Sequence, residues 1–440
     1  MNTIIINMKI SNKIFYRRHS NELERFLIGR NSLHVINENA KDKIIDKYSE
    51  KIFLNPFDPK PLINISEKKY DTIIFTDIIE SGSDIYKLLQ IAKENLNLNG
   101  KLIITSMNTK YILFSKFLEI LKLKNKNIKQ SYVHNKKISN IASSTGFEFI
   151  NTTSKQIIPF RLLGIGTVVN IFFEIILFRF VFGIRTYSVF RNTQTNKKIQ
   201  SKSIIIPAKN EEGNLSNLID RIPKFNKCEI IITCGESSDN TFDIARKIRS
   251  ENKNFKIKVI KQSGKGKANA VWEGLKISSG EVIAILDADI SVEPESLTQF
   301  FEIIDNNYSD FVNGSRLIYQ MEHGAMRTIN KYGNRLFQFL ISQVTGTHLT
   351  DSLCGTKVFK RDLIEKIFWW QETFELKDPF GDFDMIFTAS FTGQKITEYP
   401  INYKARTYGK TQISRFRDGY KLIKYFLKSF VVFNTSRKIN

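Results

Sequence analysis

From residue 203 onward, short apolar runs alternate with segments whose apolar residues are spaced as on a helix. Four runs predict buried strands over residues 203–206, 229–233, 256–260 and 282–286. Between them, positions three and four apart predict helices with apolar stripes at Leu215, Leu218, Ile219 and Ile222, at Ile244, Ala245 and Ile248, and at Ala268, Val271, Trp272 and Leu275. This alternation predicts an α/β fold, a parallel sheet with helices on both faces, whose ligands bind at the carboxyl ends of the strands.

The first 190 residues show a shorter version of the same pattern. A strand is predicted over residues 71–76, a helix over 85–96, a turn at Asn99-Gly100 and a further strand over 101–105. Residues 191–202 are polar and lack periodicity, as is typical of a linker. The sequence therefore predicts two α/β domains, residues 1–190 and 203–440, joined by the linker 191–202.

Composition adds a strong positive charge to this picture. The 440 residues carry a formal net charge of +22, which predicts attraction to phosphate ligands, an acidic membrane leaflet or nucleic acid. A biased genomic composition is the alternative source of the many lysines. The three cysteines, Cys228, Cys234 and Cys354, lie in no metal-ligand spacing, which favours a reducing compartment over a disulfide frame or a zinc site.

No secretory signal or membrane-spanning segment is predicted. The apolar run at residues 3–6 is too short for a signal peptide. Within residues 159–190, the longest uncharged run is 162–173, which falls short of the about 20 residues that a span needs. This segment is expected to be an interfacial or core helix, and the protein is expected to be cytoplasmic.

Acidic, glycine and lysine residues follow each of the four predicted strands. The segments are residues 207–212, 234–239, 263–267 and the Asp287-Ala288-Asp289 motif. Because the carboxyl ends of parallel strands share one edge of a sheet, these residues are expected to meet in one crevice. Such a rim suits a nucleotide with sugar hydroxyls, phosphates and a divalent ion.

In this order, residues 203 to about 425 resemble family 2 glycosyltransferases of the GT-A fold, near the polyprenyl-phosphate sugar synthases and polysaccharide-assembly enzymes. The matching motifs are Pro207, Asn210 and Glu211; Ser237, Asp239 and Thr241; Gly264-Lys265-Gly266; Asp287-Ala288-Asp289; Gly314-Ser315-Arg316; residues 351–357; residues 381–384; and residues 406–416. Lys209 replaces the usual aromatic residue beside the base, and Cys234-Gly235-Glu236 replaces the usual Asp-Asp-Gly. These departures leave the nucleotide base open.

The resemblance implies roles for the rim residues. Asp289 is expected to hold Mg²⁺ or Mn²⁺, with Asp287 as a second ligand or orienting the ribose or a metal-bound water; solvated turn acids are the alternative. The donor-binding residues are expected to be Pro207, Lys209, Glu211, Gly264, Lys265, Asp287 and Arg316. Glu211 is otherwise an ordinary acid at a helix N-terminus, and Lys265 is otherwise solvated.

The acceptor side is expected to use Asp382 as first choice of base and Asp384 as second, with a helix N-cap as the alternative role of Asp382. A lipid phosphate acceptor is already anionic and needs no base, in which case these acids position the sugar or a basic partner. Four basic residues are expected to hold a lipid phosphate or the donor diphosphate: Arg406, Lys410, Arg415 and Arg417.

The last predicted helix has an apolar and a basic stripe side by side. The apolar stripe is Phe416, Tyr420, Ile423, Leu427 and Phe430, and the basic one is Arg417, Lys421, Lys424 and Lys428. Such a helix suits an anionic membrane surface. The alternative is an amphipathic helix that packs on its own domain with a solvated basic edge.

The N-terminal region resembles the second half of a class I S-adenosylmethionine-dependent methyltransferase. The matching text is residues 70–75, 77–80 and 96–104. An apolar run at residues 33–36, where such a fold has its first strand, is followed by Asn37-Glu38-Asn39-Ala40, without the glycine that would let the cofactor approach the backbone. A non-catalytic domain that does not bind S-adenosylmethionine is therefore expected, and a retained methyltransferase is the alternative.

The sequence as a whole predicts an inverting, metal-dependent hexosyltransferase. It is expected to transfer sugar from a nucleotide sugar to a lipid-linked or polysaccharide acceptor, as a peripheral protein on the inner face of the plasma membrane. A bifunctional methyl- and glycosyltransferase and a non-enzymatic, membrane-associated scaffold are the alternatives. Nucleic acid is not an expected partner, because no platform of aromatic and basic residues is recognisable. The sugar, the base, the acceptor and the oligomeric state stay open.

Overall fold

The structure is a computed structural model of the whole chain. It describes residues 19–20, 22–27, 31–37, 50–54, 68–79, 84–111, 120, 135–156, 183–193, 200–319, 328–404, 406, 408 and 415–435. The chain divides into two compact units, one of residues 1–195 with 434–436 and one of residues 196–433 with 437–440. The division falls within the segment predicted as a linker.

The first unit contains a six-stranded mixed sheet with helices. Its elements are β1 (Ser32–Asn37), β2 (Glu50–Leu54), β3 (Tyr70–Thr76), α1 (Ile85–Asn95), β4 (Leu96–Met107), α2 (Asn135–Ser144), β5 (Phe147–Lys155) and β6 (Arg185–Asn192). The strand order is β2-β1-β3-β4-β6-β5. Strands β1 to β4 run parallel, whereas β6 is antiparallel to both of its neighbours.

The predicted strands 71–76 and 101–105 are confirmed within β3 and β4, and the predicted helix is confirmed as α1, but the predicted turn at Asn99-Gly100 is wrong. Strand β4 begins directly after α1 and continues through these residues. Its register with β3 shifts between the pairs Tyr70–Leu96 and Thr72–Lys101, so the extra residues form a bulge within one strand. The Asn-Gly pair thus marks an irregularity in a strand.

The second unit is built around a seven-stranded sheet. Its elements are β7 (Lys202–Ala208), α3 (Glu212–Arg221), β8 (Cys228–Cys234), α4 (Thr241–Glu251), β9 (Lys256–Lys261), α5 (Lys267–Ile277), β10 (Val282–Ile285), α6 (Leu297–Asp305), β11 (Phe311–Ser315), α7 (Thr328–Thr345), β12 (Lys357–Lys360), α8 (Leu363–Phe374), α9 (Asp382–Phe391), β13 (Ile396–Pro400) and α10 (Arg415–Thr435). The strand order is β13-β11-β12-β10-β7-β8-β9.

The four predicted strands are β7 to β10, and they are parallel to one another as expected. The complete sheet is mixed, because β12 runs antiparallel to β10 and β11. Alternate residues of the central strands enter two separate cores: Ile205 and Ile283 pack with α5, α7, α8, α9 and α10, whereas Ile204 and Ala284 pack with α3, α4 and α6. The sheet is therefore covered by helices on both faces, as predicted.

Two helices begin beside acidic residues, and one of them differs from the prediction. Helix α4 begins after Asn240, and the Asp239 carboxylate accepts a hydrogen bond from the Thr241 backbone N–H. Helix α9 begins at Asp382 after Gly381, which has a φ of 86°. A left-handed residue at this position favours glycine, so Gly381, not Asp382, occupies the N-cap.

No helix within the described ranges is both long and apolar enough to cross a membrane. The segment 157–182, which contains most of the predicted interfacial helix, lies outside the described residues, as do residues 38–40 after β1, residues 194–199 of the predicted linker and Lys410.

Candidate active site

The acid pair lies at the end of β10, as predicted, and its first member forms an ion pair. The Asp287 carboxylate is 2.6 Å from the Nζ of Lys267, the first residue of α5. Burial by itself raises the pKa of Asp287, but the Lys267 ammonium, together with the charges of Lys357 and Arg316, holds the pKa below its ordinary value. A Cβ on Gly355 would lie 2.0 Å from Asp287 Oδ2, so only glycine fits over this ion pair.

The second acid, Asp289, is held by an arginine from the C-terminal part of the chain. The Arg406 guanidinium donates to Asp289 Oδ2 at 2.6 Å and lies 3.6 Å from Glu211 Oε1. Asp289 Oδ1 accepts from the backbone and hydroxyl of Ser291. Burial raises the pKa of Glu211, against the effects of Asn214 and Arg406. Glu211 and Asp289, which were predicted to meet at one edge of the sheet, thus both lie near Arg406.

Arg316, predicted to bind the donor, is fixed by a buried acid. Its guanidinium forms two hydrogen bonds with the Asp351 carboxylate, of 2.6 and 2.9 Å, and lies over the Tyr403 ring. Although burial raises the pKa of Asp351, Arg316 lowers it to about 2. Glu398 supports the same loop, because it accepts hydrogen bonds from the backbone of Thr350 and Asp351. Arg316 directly follows β11, which runs in the same direction as β10, so its charge lies at the same edge of the sheet and contributes to lowering the pKa of Asp287.

Asp382, the first candidate base, forms a buried ion pair. Its Oδ1 lies 2.8 Å from the Nζ of Lys357, the first residue of β12, and the Lys357 side chain is fully buried. Lys357 also donates to the Cys354 carbonyl. Asp382 contributes to raising the pKa of Lys267, as do Asp287 and Asp289, against the effect of burial. Asp382 is therefore within electrostatic range of the acid pair.

Asp384, the second candidate base, lies inside the core. It is fully buried and accepts hydrogen bonds from Gln371, from the Asp378 backbone and from the Tyr425 hydroxyl. Burial raises the pKa of both Asp384 and Asp378, and for Asp378 repulsion from Asp384 adds to the effect. The carboxylate joins α9 to α8 and α10, so this geometry disfavours the predicted catalytic role.

The remaining predicted donor residues lie at the ends of the neighbouring strands. Pro207 is the last but one residue of β7, and Lys209 is exposed and lies against Gly235 at the end of β8. Gly264 donates to Asn269, and a Cβ there would come within 2.7 Å of that side chain. Lys265 is exposed in the loop before α5. Their donor-binding roles stay predictions.

The acid pair fits a hard divalent ion in its ligand type. Within the described residues, no three or more His, Cys, Asp or Glu side chains gather as a ready metal site. Mg²⁺ typically takes only one or two carboxylates together with substrate phosphates and water. Asp287 and Asp289 offer oxygen ligands of this kind, and both now pair with cationic side chains, which shows that the position favours positive charge.

Helix α10 exposes three residues of the apolar stripe that the sequence singled out, whereas Phe430 of the same stripe packs against the core. Tyr420, Ile423 and Leu427 are 68%, 46% and 55% exposed, whereas Leu422, Tyr425 and Phe426 pack inward. The basic residues Arg417, Lys421 and Lys424 are also exposed. Arg415 is the first residue of this helix, and its side chain lies outside the described part.

Two functional candidates were missed by sequence reasoning, Lys267 and Lys357. Lys267 stands two residues after Lys265 in a Gly-Lys-Gly-Lys run, and this run was the available signal. Which lysine reaches the rim depends on where α5 begins. Lys357 lies within the 351–357 motif, but its pairing with Asp382 links positions 25 residues apart and had no local signal.

Comparison with known proteins places part of this unit in a family. Residues 203–368 match the family described as Glycosyl transferase family 2. The chain is 28% identical over 232 residues to the low-salt glycan biosynthesis hexosyltransferase Agl6 of Haloferax volcanii. The aligned residues cover 51% of this chain and 52% of that protein. This chain thus spans about half the length of that relative.

Two further relatives have similar identity. A dolichyl-phosphate hexose transferase of Haloferax volcanii is 26% identical, over 51% of this chain and 92% of its own length. An undecaprenyl-phosphate 4-deoxy-4-formamido-L-arabinose transferase of Yersinia enterocolitica is 26% identical, over 50% of this chain and 64% of its own length.

Solved structures show a weak likeness. Glucosyl-3-phosphoglycerate synthase from Mycobacterium tuberculosis, solved with Mn²⁺, uridine diphosphate and phosphoglyceric acid, matches 52% of this chain and 78% of its own, with a TM-score of 0.39 and 17% identity. Mannosyl-3-phosphoglycerate synthase from Rubrobacter xylanophilus matches with a TM-score of 0.38 and 14% identity, over 52% of this chain and 73% of its own.

Because residues 203–368 match this family, the second unit contains a glycosyltransferase family 2 domain.

Proposed function

We propose that the protein is an inverting glycosyltransferase of the GT-A type. It transfers a hexose-type sugar from a nucleotide diphosphate sugar to a lipid-linked acceptor, a polyprenyl phosphate, or to a polysaccharide. The observation that carries this proposal is the rim at which Asp287, Asp289 and Glu211 lie with Arg406 and Lys267. Relatives named for transfer to dolichyl and undecaprenyl phosphate support the lipid-linked acceptor.

The donor side of the mechanism follows from charge. Asp289 and Asp287 would hold Mg²⁺ or Mn²⁺, and an ion there neutralises the charge that develops on the leaving diphosphate. Arg406 lies 2.6 Å from Asp289, close enough to turn to a phosphate oxygen when Asp289 takes another partner. The fixed guanidinium of Arg316 adds positive charge at the same rim. Glu211, the residue before the first turn of α3, would contact the base or the ribose of the donor.

On the acceptor side, Asp382 is the residue that this geometry favours over Asp384. The Lys357 ion pair fixes the Asp382 carboxylate in position, 2.8 Å from Nζ. For a hydroxyl acceptor Asp382 acts as the base, and for a lipid phosphate, which is already anionic, it positions the sugar.

We further propose that helices α7 and α10 bring the site to the inner face of the plasma membrane. Both pack on Phe383 of α9, through Phe337 and Tyr425 respectively. Both leave apolar side chains exposed: Tyr332, Leu336 and Phe339 on α7, and Tyr420, Ile423 and Leu427 on α10. The exposed basic residues of α10 lie beside its apolar stripe and match the charge of an anionic leaflet.

For the first unit we propose a methyltransferase-like domain without catalytic activity. The parallel order β3, α1, β4 supports the resemblance, and the lack of glycine after β1 counts against cofactor binding. Isothermal calorimetry of the full chain with millimolar S-adenosylmethionine is expected to give no binding heat. Saturable binding would favour the bifunctional alternative.

The donor proposal is tested by thermal unfolding with a panel of nucleotide sugars, each with and without Mn²⁺. A donor at about 100 times its Kd stabilises a protein by about 2.7 kcal/mol, a readily measured shift of Tm. We expect one nucleotide sugar to stabilise the protein selectively and in a metal-dependent way. The Asp289→Ala variant is expected to lose this shift, and its retention would overturn the role of Asp289.

The membrane proposal is tested by co-sedimentation with vesicles of phosphatidylglycerol and phosphatidylcholine. The double variant Lys421→Glu/Lys424→Glu is expected to bind such vesicles much more weakly, because about 1 kcal/mol is lost for each basic residue near the surface. Lys247→Glu/Lys253→Glu, on α4 and just after it, makes the same change in charge at exposed positions and serves as the control. An equal loss of vesicle binding in both variants would show that binding depends only on the net charge of the protein.

A further inference from the structure

Lys267 is a cation within the acid rim that no part of the proposed mechanism requires. It is the first residue of α5, and its Nζ lies 2.6 Å from the Asp287 carboxylate. Both side chains are a little over one quarter exposed, so the ion pair faces the open crevice. Gly355 covers the pair closely, since a Cβ there would lie 2.5 Å from Lys267 Nζ.

The position of this ammonium conflicts with simple metal binding. A hard divalent ion binds carboxylate oxygens directly, at about 2.0 to 2.6 Å. Lys267 holds Oδ1 of Asp287 at hydrogen-bond distance, and Arg406 holds Oδ2 of Asp289 in the same way. An ion that uses Asp287 must therefore displace the ammonium or share the carboxylate with it.

The carboxylates around Lys267 already have cationic partners, so a displaced ammonium needs a new anionic partner. The nearby charges that act on Lys267 are the carboxylates of Asp287, Asp382 and Asp289. Asp382 is held by Lys357 and Asp289 by Arg406, so each already has a cation. A donor diphosphate entering the crevice brings new anionic oxygens, which are strong acceptors for an ammonium.

We infer that Lys267 is a resident counter-ion of Asp287 that competes with the divalent ion and moves to the donor diphosphate when donor and metal bind together. This inference rests on the proposed function, because it assigns Lys267 to the donor site of the same reaction. The exchange makes and breaks ion pairs only. As a consequence, the metal binds weakly alone, and the diphosphate binds measurably without metal.

The first test is a titration of the full chain with Mn²⁺ alone, in which electron paramagnetic resonance measures the concentration of free ion. We expect the Lys267→Met variant to bind Mn²⁺ about tenfold more tightly than the unchanged protein, since an opposite charge at this distance changes the proton affinity of a carboxylate about tenfold or more. Lys267→Arg keeps the charge and is expected to restore weak binding. Lys276→Met, an exposed position at the other end of α5, removes the same charge and is the control.

The second test measures uridine diphosphate and inorganic pyrophosphate binding in the presence of a chelator. Lys267→Met is expected to weaken both about tenfold or more, because the ammonium is lost, while Lys276→Met leaves them unchanged. Pyrophosphate makes this measurement independent of the base.

The outcomes separate this inference from the proposed function. If the unchanged protein and Lys267→Met bind Mn²⁺ equally well, or if neither binds it, Lys267 does not compete with the ion for Asp287. This conclusion holds whichever nucleotide sugar is the donor. Weaker Mn²⁺ binding by Lys267→Met overturns the competition as well. If no nucleotide sugar raises the Tm but Lys267→Met binds Mn²⁺ more tightly, the proposed function is overturned. The competition between Lys267 and the ion for Asp287 then still stands.

Discussion

Two groups of acids in the second unit differ in the kind of partner that holds them. The rim acids Asp287, Asp289 and Asp382 each face a lysine or arginine at 2.6 to 2.8 Å. The core acids Asp378 and Asp384 receive hydrogen bonds from neutral groups only, among the contacts that the structure describes. Cationic partners keep a carboxylate charged, and such a partner can be replaced by a metal ion and released to a phosphate. Neutral donors in a buried site leave the charge uncompensated, so these acids favour the protonated form.

Asp382 belongs to the rim group by its partner but to the core group by its burial. Its Lys357 partner is the most deeply buried of the cations at the rim, and both side chains are almost completely inaccessible. The ion pair thus cannot be exchanged as easily as those of Asp287 and Asp289. Asp382 is therefore suited to holding a position through the reaction.

The largest effect on stability is expected for Lys357→Met. Breaking a buried ion pair by removing one partner costs about 3–5 kcal/mol, because Asp382 would be left as an uncompensated buried charge. Urea denaturation at pH 7 measures this loss. The double variant Lys357→Met/Asp382→Asn is expected to recover a large part of it. Full additivity of the two single changes would contradict the buried pairing.

A smaller loss is expected for Tyr425→Phe in the core group. The change removes the hydroxyl that donates to Asp384 and accepts from Trp370, which costs about 1–3 kcal/mol for buried groups left unsatisfied. Tyr420→Phe on the exposed face of the same helix is the matched control, expected to stay within about 0.5 kcal/mol. Equal effects would show that the Asp384 contact contributes nothing to stability.

The rim pair of Arg406 and Asp289 is expected to contribute still less. Arg406 is about one third exposed, and partly solvated ion pairs contribute about 0–1 kcal/mol. Arg406→Gln is therefore expected to leave the urea midpoint nearly unchanged while it weakens pyrophosphate binding. A loss of stability as large as that of Lys357→Met would remove the distinction between exchangeable and fixed partners.

The sequence predicts the rim better than it predicts what holds the rim. A run of aliphatic residues that ends in Asp287 and Asp289 predicts a strand and its exit, and the rule for parallel sheets then places the acids at one edge. The partners Lys357 and Arg406 come from distant segments, 25 and 117 positions from the acids that they hold. Pairings over such distances follow from tertiary packing, and no local pattern specifies them.

The same limit explains the outcomes for individual residues. Asp382 and Asp384 are two positions apart in one motif, yet on a helix this spacing turns the side chains to different sides. Asp382 meets Lys357, and Asp384 meets Tyr425. For Lys265 and Lys267, the start of α5 decides which one reaches Asp287. In α10, periodicity identified an apolar stripe correctly but could not say which side faces the core, because this helix carries apolar residues on both sides.

For Asp378→Asn the expected effect lies in the pH dependence of stability. Burial and the neighbouring Asp384 raise the pKa of Asp378 to about 8, above the unfolded value of about 3.9, so the folded state binds the extra proton between these values. This contribution to stability is complete below about pH 4 and is lost as the pH rises through about 8.

Asn cannot ionise, so the urea midpoint of Asp378→Asn is expected to fall less between pH 5 and pH 8 than that of the unchanged protein. Asp220→Asn, at an exposed position of α3, is expected to follow the unchanged protein. In Asp378→Asn the amide nitrogen cannot accept one of the two backbone hydrogen bonds that Asp378 receives from Phe380 and Phe383. This loss lowers the urea midpoint by the same amount at every pH, so the slope of the midpoint with pH is the quantity that tests the assignment. A slope equal to that of the unchanged protein would place the raised pKa elsewhere in the core.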